Sequence, residues 1–319
     1  MRVREMTRED RGPVLDLLEH AFGVRELFER YMDFDSAFAY GDYLLALDGD
    51  TPVACVQIFD KTIRLRGASV RLGGIGSVAT RASHRGRGLS SDLLQRALER
   101  MRGRSMQLSL LFAAPVAPLY ERLGWHRIPA PLLRLSPSAK TGASEPRPGR
   151  VFQPTDLWQV NGLYESYCEA LSGPTLRDAR YWRGQLRTAG TPEEDFRVAE
   201  RDGAIVAYVR VASFNGRPRV LEYARGARGA DALAELLLAH THGPHALHAP
   251  FVRDPELGGA LERRGVALSF ASDPSPMWRV LERAPLARLA QLPESTSDTA
   301  LLAALVGEGA ATYWTSDRF

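Results

Sequence analysis

Three stretches of this 319-residue chain hold residue types at spacings that could do chemistry. The first is His84-Arg-Gly-Arg-Gly-Leu-Ser-Ser91. Glycines at 86 and 88 allow a tight turn in which successive backbone N–H groups converge on the start of a helix, a place that binds phosphate. Arg85 and Arg87 can add guanidinium donors; the plainer reading is a surface turn with a solvated run of charge. No lysine lies here, so it is not a P-loop, and Leu89, Ser90 and Ser91 follow Gly88 without the third glycine of a dinucleotide fingerprint. The second stretch is Pro118-Leu-Tyr-Glu-Arg-Leu-Gly124. A phenol of ordinary pKa, about 10, is protonated at neutral pH, so Tyr120 can give a proton to a leaving group, or it simply packs. The third is the ending Thr312-Tyr-Trp-Thr-Ser-Asp-Arg-Phe319, aromatic where a frayed terminus is polar. Its plain reading is a tail clipped to the surface. The histidines 240, 242, 245 and 248 could ligate zinc, nickel or copper. Gly243-Pro244 breaks any helix that would align them, so they read as a polar loop and no metal is expected.

Positioning these residues falls to a mixed α/β pattern. In residues 1–135 strands are expected at 2–6, 43–47, 52–59, 61–65, 70–80, 106–113, 125–128 and 132–135. Helices are expected at 7–21, 24–32, 89–102 and 117–123, the third on Leu93, Leu94, Ala97, Leu98 and Met101 at 3.6-residue spacing. The phosphate-type loop therefore lies between a glycine-rich strand and a helix, and Tyr120 on the next helix. Residues 136–150 hold three Pro, two Gly and three Ser and read as a linker. Residues 151–283 repeat the order of elements with little residue identity. Helices are expected at 155–171, 175–187, 230–240 and 257–264, and strands at 196–200, 204–213, 219–223 and 246–249. The last 36 residues, 284–319, are expected to hold one helix, 298–305, and the tail.

Composition narrows the function classes. Hydrophobic residues are 45% and charged residues 25%, globular values that leave out disorder. No run of 18 apolar residues or secretory leader occurs, and Cys55 and Cys168 are the two cysteines, so a cytoplasmic, reducing location is expected and membrane attachment is not. Residues 1–150 carry 23 basic and 17 acidic side chains, and residues 151–319 carry 18 and 21. The basic excess gathers around Arg81–Arg104 without aromatics, which suits a small polyanionic ligand and not a nucleic acid.

GGIGSVATRASHRGRGL and LSLLFAAPVAPLYERLGW together resemble the acetyl-CoA-binding core of the GNAT superfamily of N-acetyltransferases. The form GGIGSVAT…HRGRGL…PLYERLGW, with SGPTLRDARYWRGQL at the head of the second half, is closest to the tandem-domain Eis-like family of bacterial proteins. The resemblance spans about residues 1–280 and is strongest over 70–128. It implies an α/β fold with a mixed sheet in each of two GNAT-like domains: 1–135 binding acetyl-CoA, 151–283 degenerate, joined by linker 136–150 and followed by 284–319. It implies that Ser77, Val78 and Ala79 hold the pantetheine arm through their backbone. Arg85, Gly86, Arg87, Gly88, Leu89 and Ser90 would hold the pyrophosphate, and Tyr120 would protonate the departing thiolate. The family's terminal carboxylate turns back into the active site as a base, which here would be that of Phe319, with Arg318 holding the tail or Asp317 supplying the carboxylate instead. Departures are Ser83, where the superfamily often has Arg or Gln, the absence of an equivalent loop in the second half, and the expected lack of a C-terminal sterol-carrier-like domain. The expected activity is a transferase reaction: acetyl moved from acetyl-CoA to the amine of a small molecule or peptide lying between the domains. Asp33, Asp35, Asp42 or Glu222 would face that amine. An acyl donor other than acetyl-CoA, a silent CoA-binding regulator, and a homo-oligomer are left open.

Overall fold

The computed structural model describes residues 1–319 except 114, 137–147, 189–193, 215, 242–243 and 308. His242 and most of the expected linker lie outside the described residues. The first half runs β1 (Arg2–Glu5), α1 (Arg11–Phe22), α2 (Arg25–Phe34), β2 (Tyr43–Asp48), β3 (Thr51–Leu65), β4 (Ala68–Thr80), α3 (Leu89–Gly103), β5 (Leu108–Phe112), α4 (Ala117–Glu121), β6 (His126–Arg127) and β7 (Ala130–Leu135). The second runs β8 (Arg150–Val151), α5 (Leu157–Cys168), α6 (Ala179–Thr188), β9 (Asp195–Arg201), β10 (Ala204–Phe214), β11 (Arg217–Arg225), α7 (Ala230–Leu238), β12 (Leu247–Pro250), α8 (Pro255–Arg263), β13 (Ser269–Asp273) and β14 (Pro276–Val280). Helices α9 (Arg283–Ala290) and α10 (Asp298–Val306) precede the tail.

Several elements differ from expectation. The strands expected at 52–59 and 61–65 are one strand, because Asp60 and Lys61 keep their pairing with Gly73 and Leu72. The helix expected from 175 begins at Ala179, since Thr175 bridges to Ile63 and the Leu176 N–H donates to the Thr62 carbonyl at 2.8 Å. The C-terminal stretch holds two helices where one was expected. Strands β13 and β14 were not foreseen; they are five residues each and separated by Pro274 and Ser275.

The strands form two seven-stranded sheets, β1-β2-β3-β4-β5-β14-β6 and β13-β7-β12-β11-β10-β9-β8. Each has one parallel pair, β4 with β5 and β11 with β12. The two orders match position for position, and sheet membership crosses the boundaries at 135 and 151. Strand β14 of the second half inserts between β5 and β6, while β7 of the first half inserts between β12 and β13. The halves thus exchange one strand reciprocally. The repeat reaches single residues: Arg4 grips Asp10 with bonds of 2.6 and 2.9 Å, and Arg150 grips Asp156 with the same two lengths. Each Asp also accepts a backbone N–H three residues before it, which starts the helical segment.

Helix α3 buries the five apolar residues its spacing marks against β3 and β4. On another part of this sheet α9 and α10 bury Leu286, Leu301, Leu302 and Leu305 with Ile63, Leu72 and Leu110. Each such side chain contributes about 1.5–3 kcal/mol, so the C-terminal helices are integral to the first core. Among the described residues no helix is long and apolar enough to cross a membrane.

Candidate functional site

Strand β4 is where the site begins. Its pairing with β5 ends at Gly74 with Leu110, yet β4 runs on to Thr80, so among the described residues its last part has no strand neighbour on that side. An extra residue bulges this strand between Gly76 and Ala79, with Ser77 at φ +51°. Such a bulge bends the strand and breaks the ladder. Three buried contacts hold it: Tyr43 and Ser77 hydroxyls meet at 3.1 Å, Ser77 donates to Gln57 Oε1 at 2.9 Å, and the Cys55 thiol donates to the Ser77 carbonyl at 3.2 Å.

From the open edge the chain enters the Arg85–Ser90 loop. Gly86 and Gly88 have φ of +76° and +77°, and a Cβ at either would meet nothing within 4 Å. Glycine is thus set by the backbone turn and the space before it is open. Gly88 is the residue before α3, and Ser90 bonds Thr80 at 2.8 Å. Arg85 and Arg87 are exposed and bond loop carbonyls of Thr80 and Ser83. His84 turns to Asp48 at 3.2 Å. A groove of about 680 Å³ joins this loop to Val78, Ala79 and Tyr120. Tyr120 is 6% exposed, its ring edge-on to Trp125, and burial pushes its hydroxyl up to about 12. Of the residues expected to hold the donor, Ser77 alone is absent from the groove lining; it is buried as the bulge.

The tail runs to the same strand from the other side. Trp314 is fully buried, edge-on to Tyr223. Asp317 pairs with Arg177 at 2.8 Å and accepts from the Tyr181 hydroxyl at 2.9 Å. Arg318 donates to Asp273 at 2.6 Å and lies over the Phe112 ring. Phe319 stacks on Phe59 with centroids 4.9 Å apart. A Cβ on Gly74 would fall 2.3 Å from that Phe319 ring, and one on Gly76 3.3 Å from the Phe319 backbone carbon. Glycines 74 and 76 are therefore the seat of the tail, a role the sequence reading missed; their alternate spacing, placing them on one face of a strand, was the signal.

A buried network holds Asp317 from below. Arg177 donates to both oxygens of Glu222, and Ser316, Tyr208 and Arg210 also reach that carboxylate. Burial alone pushes the Glu222 carboxyl up, but Arg177 and Arg210 with the hydrogen bonds reverse this and hold it at about 2. Glu222 is thus consumed by structure, and so is Asp42, which pairs with Arg104 at 2.6 Å. Asp33 pairs with Arg11 at 2.7 Å on an exposed flank. Of the four acids expected to face an amine, only Asp35 shares a cavity with Phe319, and its partner there is Lys61 at 3.6 Å. His240 bonds the Leu236 carbonyl and Asp195, and among the described residues no cluster of His, Cys, Asp and Glu is placed to hold a metal.

Residues 2–128 match the acetyltransferase (GNAT) domain family. A relative from Streptomyces avermitilis described as an uncharacterized N-acetyltransferase is 28% identical over 228 residues, covering 65% of this chain and 54% of its own length. The chain thus spans about half the length of that curated relative. A GCN5-related N-acetyltransferase from Kribbella flavida superposes with a TM-score of 0.65 at 23% identity, over 91% of this chain and 72% of its own. Eis1 from Mycobacterium abscessus does so with a TM-score of 0.60 at 16% identity, over 90% and 75%. Residues 2–128 thus match the acetyltransferase (GNAT) domain family, and the solved structures share the fold of most of the chain.

Proposed function

We propose that the protein is an N-acetyltransferase that takes acetyl from acetyl-CoA and transfers it directly to an amine. The observation that carries this reading is the continuity of one groove from the unpaired edge of β4, past Gly86 and Gly88, to Tyr120. Bound there, acetyl-CoA supplies an activated acetyl thioester. The open backbone of Val78 and Ala79 offers hydrogen bonds to an extended amide arm, and the N–H groups from Gly86 to Ser90 face a pyrophosphate. Tyr120 keeps its proton until a thiolate departs and then donates it. The Phe319 backbone carbonyl carbon lies against Gly76; where the mature protein ends at this residue, the carboxylate there accepts the proton of the attacking amine, directly or through water. Asp317 is tied to Arg177, which leaves this carboxylate as the base supplied by the tail. The acceptor enters between the halves, where α2, α6 and the tail meet, as a small amine with no nucleic acid involved.

The test is thiol release from acetyl-CoA against a panel of amines, run beside calorimetric titration with CoA. Release with one or more amines, lost in Tyr120→Phe, is expected. Tight CoA binding with no release from any amine would leave a silent CoA-binding protein, and release only with longer acyl-CoAs would change the donor.

A further inference from the structure

Lysine is scarce in this chain: 2 of its 41 basic residues, Lys61 and Lys140, with arginine at the other 39. Lys61 is the one lysine among the described residues, and it sits in the candidate site. The ion pairs that lock the fold use arginine, whose planar fork grips a carboxylate with two bonds, as Arg4, Arg150, Arg177 and Arg225 do. Lys61 instead brings a compact, mobile ammonium. Its Nζ lies 3.6 Å from Asp35 and 4.6 Å from the centre of the Tyr181 ring, and both charged side chains are 8% exposed.

The pair stands at a partition. On one side is a cavity of about 20 Å³ against Phe319 and Tyr31, room for about one water. On the other is an open pocket of about 430 Å³, the size of a small-molecule site; its other charged residues are already engaged, Asp60 by Arg71, Arg177 by Glu222 and Asp317, and Asp178 by the Tyr181 N–H. Lys61, Tyr181 and Ser36 line both. An acceptor arriving through the open pocket must part Lys61 from Asp35 to bring its amine to the tail. A buried charge left without a partner is strongly unfavourable. A plain amine would re-pair Asp35 and strand Lys61. A ligand with both charges re-pairs both.

Resting on the acetyl-transfer reading, we propose that the acceptor is a small amino acid in the broad sense, a primary amine and a carboxylate on one aliphatic frame. Lys61 takes the carboxylate, on the open side. Asp35 receives the ammonium, on the side of Phe319. Lys61 is then the residue that selects such acceptors over amines without an acid group.

The experiment compares matched probes that differ by the carboxylate: 4-aminobutyrate with propylamine, and L-lysine with cadaverine. Affinity is measured by calorimetry on the full chain saturated with CoA, so the answer does not depend on turnover. The expected result is about 30-fold or more tighter binding of the acid-bearing member of each pair. Lys61→Met should collapse that ratio to near one, and Lys61→Arg should keep part of it, with CoA affinity reporting that both variants fold. Equal affinity within each pair in the wild type, no binding of any of the four probes, or a ratio unchanged in Lys61→Met overturns the proposal. Absence of acetyl transfer to acceptors that do bind would instead count against the acetyl-transfer reading alone.

Discussion

Tyr120 and Gly88 carry the sharpest residue-scale expectations. Burial holds the Tyr120 hydroxyl up to about 12, so the proton-bearing form is populated throughout the neutral range. Turnover should therefore show no alkaline limb from this group up to pH ~10, and Tyr120→Phe should lower kcat by roughly 10²–10⁴-fold with CoA affinity kept. A kcat within twofold of wild type would make Tyr120 a packing residue. Gly88 has φ +77° with open space before it, so the penalty of Gly88→Val is backbone strain at the loop. Calorimetry on a folded Gly88→Val variant should show loss of acetyl-CoA affinity; unchanged affinity would remove the loop from the donor site. The turn before α3 and the helix that bears Tyr120 were both legible in the sequence, because short local patterns carry them. Lys61 and Asp35 were not brought together in that reading, because they are 26 positions apart and meet only when β3 passes the end of α2.

At the scale of elements, the tail is held by packing against β4 and by the charges under it. Gly74→Ala would drive a methyl into the Phe319 ring and should release the tail while leaving the donor groove, which lines other residues, intact. Exposure of Phe319 to carboxypeptidase together with unchanged CoA affinity is the expected pair of readouts. Glu222 acts from the second half. Its folded pKa is about 2, below its ordinary value, so the stability it adds is present above the normal carboxylate range and is lost as pH falls through about 2. Glu222→Gln leaves Arg177 with a weakened partner, and removing one member of a buried pair costs about 3–5 kcal/mol. Urea denaturation at neutral pH should show that loss, and the difference from wild type should narrow as pH is lowered from 5 to ~2. A variant as stable as wild type at neutral pH would show that the network is not holding the tail. The aromatic ending signalled a docked tail in the sequence; its seat on Gly74 and Gly76 required the packed structure.

For the whole molecule, the exchanged strands make the halves interdependent. Without β14 the edge of β5 is unpaired, and without α9 and α10 the Ile63, Leu72 and Leu110 cluster faces water. The full chain should then unfold in one calorimetric transition with van't Hoff and calorimetric enthalpies equal. A fragment of residues 1–150 should fail to give a cooperative transition. Two separate transitions in the full chain would mean that each half is stable alone. The repeat left short residue-level traces, Arg-x5-Asp at 4–10 and 150–156 and the turns Asp48-Gly49 and Asp202-Gly203, too short to stand out beside otherwise dissimilar halves.

Period and punctuation in the sequence were enough for the α/β class, for most strands and helices of both halves, and for the loop before α3. These depend on local backbone preference and on which side chains share a face, and both are written within a few neighbouring residues. Other features arise between residues far apart: the single long β3, the exchange of β7 and β14, the burial of Glu222 between Arg177 and Arg210, and the meeting of Lys61 with Asp35. A strand carries no mark of which sheet it will join, because either edge offers the same backbone hydrogen bonds. A carboxylate carries no mark of whether arginines will claim it. Those outcomes follow from which surfaces meet when the two sheets close on the tail.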